Sequence, residues 1–221
     1  ETQPLRVTAT SNNPDLIPNP TVTYASTDTT GSLAFTPVVD ANGTATITVT
    51  VEDGGNDNIL ATVSDNLSYS QTFEVVVEPV NDRPVLNPTA SPQLSPIAVG
   101  SGSPVGAVGT LVSALIDAEG PLTNYSDVDG DPPGIAITGV NLLDGKLWFS
   151  TDGGVTWGDV GAVSESNVRV LAADALTRVY YEPLISSGTT ISDVLQYKAW
   201  DGTNGAMNGD LVGDGIGSLL E

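Results

Sequence analysis

The chain has 221 residues, with 27 acidic and six basic side chains, a formal charge of −21, and no cysteine or histidine. That length suits two domains of common size, while the charge repels phosphate backbones and anionic membrane surfaces and so argues against nucleic acid as a partner. Disulfides, thiolate metal sites and the usual zinc, copper and haem ligands are excluded by composition, and no apolar run reaches the roughly 18 to 20 residues of a membrane span, so no direct membrane insertion is expected.

Strand signals begin at once. The segments LRVTAT, TVTYAS, SLAFTPV, TATITVTVED and QTFEVVVEPV carry β-branched or aromatic residues in rough alternation. Between them lie SNNPDLIPNP, TDTTG, DANG and DGGNDN, whose Gly, Asn, Asp and Pro supply turn geometry. In TATITVTVED, Ala45, Ile47, Val49 and Val51 alternate with threonines and Glu52, which predicts one face on a core and one in water. Phe73, Val75 and Val77 are expected to line its partner strand. The pattern also allows for a first domain that lacks its opening strand.

A proline-rich stretch, PVNDRPVLNPTASPQLSP at 79–96, interrupts the strands, and the boundary is placed near Pro84. This gives domains at 1–84 and 85–221. Downstream, GIAITGV, KLWFST, VRVLAAD, RVYYEP and VLQYKAWD again read as strands, while VGTLVSALID at 108–117 suits a short helix or a strand equally. The expected fold is all-β, with two tandem β-sandwich domains.

The densest acidic motif is DVDGDPPG, where Asp127, Asp129 and Asp131 crowd into a turn constrained by Gly and Pro just before GIAITGV. Their mutual repulsion is relieved most directly by a bound cation, and hard oxygen donors suit Ca2+. The run imitates the start of an EF-hand loop, yet the position that needs a bidentate Glu is Thr138 and the segment continues as a strand, so that motif fails. Asp117 and Glu119 in IDAEG sit just upstream and can complete a coordination shell or decorate a loop. At the junction, Asn81 and Asp82, with Asp53, Asp57 and Glu78, are expected to hold an ion that stiffens the linker. Asp210 and Asp214, in a glycine-rich tail, are left out of the candidate set.

STDGGVTW at 150–157 matches the Asp-box pattern S-x-D-x-G-x-x-W, a hairpin whose Asp and Trp secure the turn. Trp148, Trp157, Tyr180, Tyr181 and Trp200 are expected mainly to pack a core. Tyr180 and Tyr181 must face opposite sides of a strand, which leaves one of them as a candidate for a ligand face. Catalysis has little to stand on. Serine chemistry lacks its usual histidine base, and neither a G-x-S-x-G elbow nor a phosphate-cradling G-x-x-x-x-G-K occurs. The protein is not expected to be an enzyme.

With EDGG at 52–55 followed by FEVVVEPVNDRP at 73–84, the first domain resembles the cadherin-like, immunoglobulin-like tandem repeats of large bacterial surface proteins. EPVNDRP is similar to the cadherin inter-repeat pattern D-x-N-D-N-x-P, with Glu for the first Asp and one residue fewer before Pro. In the second domain YSDVDGDPPGIAITGV, WFSTDGGVTW, RVYYEP and LQYKAWDG occur in the order seen in repeats of calcium-dependent, RTX-type adhesins. The resemblance implies a secreted or cell-surface spacer or adhesin segment whose partners are neighbouring repeat domains of the same protein. It also implies Asp201, at the end of KAWDG, as a further ligand beside the D-x-D turn. A carbohydrate- or peptide-binding module, taking a glycan or peptide ligand, is the alternative. A subunit of an extracellular fibre or assembly is the second.

Overall fold

The computed structural model describes residues 3–26, 28–87, 89–116, 124–142, 145–184 and 193–213. Among them the fold is all-β, and its one helical element is a single 3-10 turn, Val112–Ala114. The chain divides into two compact units, Glu1–Val80 and Asn81–Glu221. The division falls just before Asn81 because Asn81 and Asp82 already hydrogen-bond to residues of the second unit, Asp201 and Asp129.

The first unit contains β1 (Leu5–Ser11), β2 (Thr21–Thr23), β3 (Ser32–Ala34), β4 (Gly43–Asp53) and β5 (Ser68–Val77). β1, β4 and β5 form an antiparallel sheet with β4 in the centre, and β2 and β3 form a separate hairpin. The alternation in β4 does what it predicts at the N-terminal half, where Ala45 and Ile47 are fully buried with Ala9, Leu16 and Ile17. Val22 and Leu33 of the hairpin pack against this cluster, as do Val75 and Val77 of β5. The register sets Ile47 opposite Phe73 and Ala45 opposite Val75, so Phe73, Val75 and Val77 do line the partner strand.

The second unit contains β6 (Val85–Leu86), β7 (Thr110–Leu111), β8 (Tyr125–Ser126), β9 (Gly134–Val140), β10 (Gly145–Ser150), β11 (Gly158–Asp159), β12 (Val168–Ala172), β13 (Arg178–Pro183), β14 (Leu195–Trp200) and β15 (Leu211–Val212). They make two four-stranded sheets, in orders β11-β10-β13-β7 and β14-β9-β12-β15, and the short pair β6-β8. One buried cluster draws Ile135, Ile137, Leu171 and Ala199 from the second sheet and Leu147, Val179 and Tyr181 from the first. Both sheets therefore bury a face in the same core, each Ile, Leu or Val side chain contributing about 1.5–3 kcal/mol of hydrophobic stabilisation. The segment with two readings resolves over its described residues, 108–116, into β7 followed by the 3-10 turn, whose Val112 enters this core with the adjacent Leu115 and Ile116.

Candidate metal centre

Backbone pairing brings three stretches of the second unit together. β9 starts at Gly134, which pairs with Trp200 of β14. A side-chain carbon at 134 would lie 2.5 Å from the Trp200 ring and 2.9 Å from the Leu171 carbonyl, so glycine alone fits there. The acidic turn before β9 is thereby fixed beside Asp201, the residue after Trp200. On the other side β8 pairs with β6, Ser126 opposite Val85. Continuing that antiparallel path carries Asp127–Asp129 past Asn81–Asp82.

In the turn, one carboxylate oxygen from each of Asp127, Asp129 and Asp131 lies within 4.8 Å of the others, an arrangement that could hold a metal ion. Asp127 Oδ1 shapes the turn by accepting the backbone N–H of Asp129 at 2.9 Å and of Gly130 at 3.1 Å. Its Oδ2 is buried and has no hydrogen-bond partner. Asp129 Oδ2 accepts the backbone N–H of Asp82 at 2.6 Å. Asp201 is 0% exposed; its Oδ2 accepts Asn81 Nδ2 at 2.9 Å, and its Oδ1 accepts the Thr203 hydroxyl at 2.8 Å and N–H at 3.0 Å.

The electrostatics are those of a site with too many negative charges. Partial burial raises the Asp131 carboxyl above its ordinary value, and the charges of Asp127, Asp129 and Asp201 add to the effect. Burial alone would raise Asp201 as well, but the hydrogen bonds from Asn81 and Thr203 outweigh it and the net shift is downward. Tyr125, one residue before Ser126 and 7% exposed, has a buried hydroxyl that lies against the Asp127 carboxylate without forming a regular hydrogen bond. Burial raises its pKa strongly, and so do the charges of Asp127, Asp201 and Asp131 and the direct contact with the Asp127 side chain. A buried hydroxyl set among carboxylates, without a regular hydrogen bond, is the feature sequence reading missed. The only signal for it was an aromatic residue placed just ahead of the acidic run.

Of the predicted candidates, Asp127, Asp129 and Asp131 come together and Asp82 reaches them by its backbone N–H to Asp129, whereas Asp201 is tied to Asn81 and is not in the group of three. Asp117 and Glu119 lie outside the described residues. Asp53 and Asp57 do not belong with Glu78. In the β4-β5 register Glu52 faces Ser68 while Gly43 faces Val77, so Asp53 and Glu78 flank opposite ends of a ten-residue strand, about 36 Å apart at about 3.3 Å per residue. Asp53 instead caps a local turn, its Oδ1 accepting the N–H groups of Gly55 and Leu67.

The Asp-box segment joins β10 to β11 as a hairpin. Ser150 Oγ accepts the Gly154 N–H, Asp152 accepts the Thr156 N–H and hydroxyl, and Trp157 Nε1 donates to the Gly106 carbonyl at 3.2 Å. The bonds to Asp152 from the Thr156 hydroxyl, the chief cause, the Thr156 N–H and the Ser150 hydroxyl hold its pKa down at about 2. Tyr180 and Tyr181 do face opposite sides, yet neither is available as a ligand face, being 6% and 7% exposed. Tyr181 enters the shared core. Tyr180 is covered from outside by Trp157, edge to face at 6.1 Å, and its hydroxyl donates to the Gly102 carbonyl.

No protein-family model, curated protein or solved structure matches this chain.

Proposed function

We propose that the chain is a calcium-binding, non-enzymatic segment of a large secreted or cell-surface protein, acting as an adhesin or spacer. Its two units are tandem β-sandwich domains of immunoglobulin or cadherin type, and the ion stiffens the loops and the junction segment. The observation that carries this reading is the cluster of Asp127, Asp129 and Asp131, with the Oδ2 of Asp127 and the hydroxyl of Tyr125 buried beside it and neither in a regular hydrogen bond. A divalent cation satisfies both oxygens and cancels repulsion that the fold otherwise retains. Donors that are all oxygen favour calcium, and a shell drawn from several loops suits its tolerant geometry better than the strict octahedron of magnesium.

The sandwich reading is supported by the single core that both four-stranded sheets share. The stiffening role is supported by Asn81 and Asp82, which open the second unit and hydrogen-bond to Asp201 and Asp129. An ion held by those two carboxylates restrains the connecting segment as well as the turn. Titration calorimetry with calcium and with magnesium at matched ionic strength tests the proposal. Calcium binding to the wild type, weaker magnesium binding and loss of both in Asp127→Asn/Asp129→Asn are expected. A wild type that takes up no calcium sinks the metal reading.

A further inference from the structure

The outer edge of β5 is open. β5 spans ten residues at the end of its sheet, and no strand among the described residues pairs with its other side. At the opposite end of the sheet β1 is treated differently. Leu5 and Ser11 there donate their backbone N–H groups to Ser26 Oγ and Asn19 Oδ1. Natural edges are normally blunted by proline, lysine, a bulge or shortness. β5 has none of these: its sequence is SYSQTFEVVV, and its pairing with β4 runs without a register shift. One end of the face it shares with Ile47 is also uncovered, with Tyr69 67% and Phe73 40% exposed, while Val75 and Val77 at the other end pack on the core.

We propose that this edge pairs with β5 of a second copy of the chain, antiparallel about a twofold axis. The argument for a like partner is one of charge. The chain carries 27 acidic residues, but the ten residues of β5 include a single charge, Glu74. A basic partner finds little to hold there, whereas two acidic copies meet less repulsion along this strand than a −21 chain offers on average. The geometry is self-complementary. A twofold perpendicular to the sheet pairs odd positions with odd and even with even, so both apolar faces stay on one side of a continuous six-stranded sheet. With the axis at Thr72, Tyr69 meets Val75 and Glu74 meets Ser70; with the axis at Phe73, Tyr69 meets Val77 and Glu74 meets Thr72. Either way an aromatic ring packs on a β-branched side chain and no like charges are opposed.

Sedimentation equilibrium on the full chain over a wide concentration range, at low and high sodium chloride, reads the association. The wild type is expected to double in mass as concentration rises, and at lower concentration in high salt because screening weakens the repulsion between copies. Thr72→Glu sets like charges opposite one another in both registers, and should leave a monomer whose unfolding midpoint matches that of the wild type at concentrations where the wild type is monomeric too. Because the chain lacks cysteine, Thr72→Cys and Phe73→Cys made separately report the axis. One of them should form a disulfide-linked dimer much faster than the exposed control Val155→Cys, since directly opposed strand positions lie within disulfide reach. A wild type that stays monomeric in every condition overturns the proposal and leaves the edge to a strand from another protein. A dimer that survives Thr72→Glu overturns it too, because the contact then lies elsewhere.

Discussion

Asp131 is a carboxylate whose environment works against its own charge. Its folded pKa is raised, so without metal the folded state holds the proton more tightly than the unfolded chain does. Stability should therefore fall as pH rises from 3.8, the ordinary value, through the raised one. Asp131→Asn removes that penalty. Thermal unfolding in chelator should show a higher midpoint for this variant near neutral pH and a flatter pH dependence, while calcium affinity drops. A lower metal-free midpoint would mean that Asp131 contributes attraction rather than repulsion. Asp201 has the opposite sign: its folded pKa is lowered, so its contribution is fully present above 3.8 and is lost as pH falls through the folded value. Asp201→Ala strips Asn81 and Thr203 of a buried, charged acceptor and should cost about 2 kcal/mol in denaturant unfolding. A loss below about 0.5 kcal/mol would show that water replaces the carboxylate without penalty.

At the scale of elements, the hairpin at 150–157 holds by close approach. A side-chain carbon on Gly154 would lie 2.1 Å from the Gly106 carbonyl oxygen, and its φ is +95°. Gly154→Ala should therefore destabilise the second unit by more than about 1 kcal/mol, whereas Val155→Ala, at an exposed tip, should change little. Equal losses would remove the special role of the glycine. Asp152 sharpens the same point. Its hydrogen bonds stabilise the hairpin above pH 3.8, and that stabilisation is lost as pH falls toward its pKa of about 2. The thermal unfolding midpoint of Asp152→Asn should accordingly be less pH-dependent than that of the wild type between those values. Much of this element was legible: the S-x-D-x-G-x-x-W spacing is local, and β4 could be read from its two-residue period. What covers Tyr180 was not legible, because Gly102 and Trp157 reach it from segments without strand periodicity. Nor was the separation of Asp53 from Glu78, which depends on a pairing register that sequence alone does not set. The acidic turn was visible as three carboxylates, while the buried Tyr125 hydroxyl beside them needed the β6-β8 pairing to place it.

For the whole molecule, each unit carries a core of its own. Ala9, Leu16, Ile17, Ala45 and Ile47 serve the first, and the cluster around Ile135, Ile137, Leu147 and Leu171 serves the second. The metal candidates that come together all fall within Asn81–Glu221. An ion that binds only the folded state adds RT ln(1 + [L]/Kd), about 2.7 kcal/mol at a hundredfold excess over Kd, and this stabilisation belongs to the unit whose fold makes the site. Differential scanning calorimetry should therefore resolve two transitions, and calcium should raise only one of them. The transitions can be assigned by cavity variants. Ile47→Ala and Ile137→Ala should each cost about 2–5 kcal/mol in their own unit, lowering one midpoint apiece. The calcium-sensitive transition should be the one that Ile137→Ala moves. If calcium instead raises the transition moved by Ile47→Ala, the ion is bound in the first unit, and the turn at Asp127–Asp131 is a solvated loop whose charges the fold tolerates without a ligand.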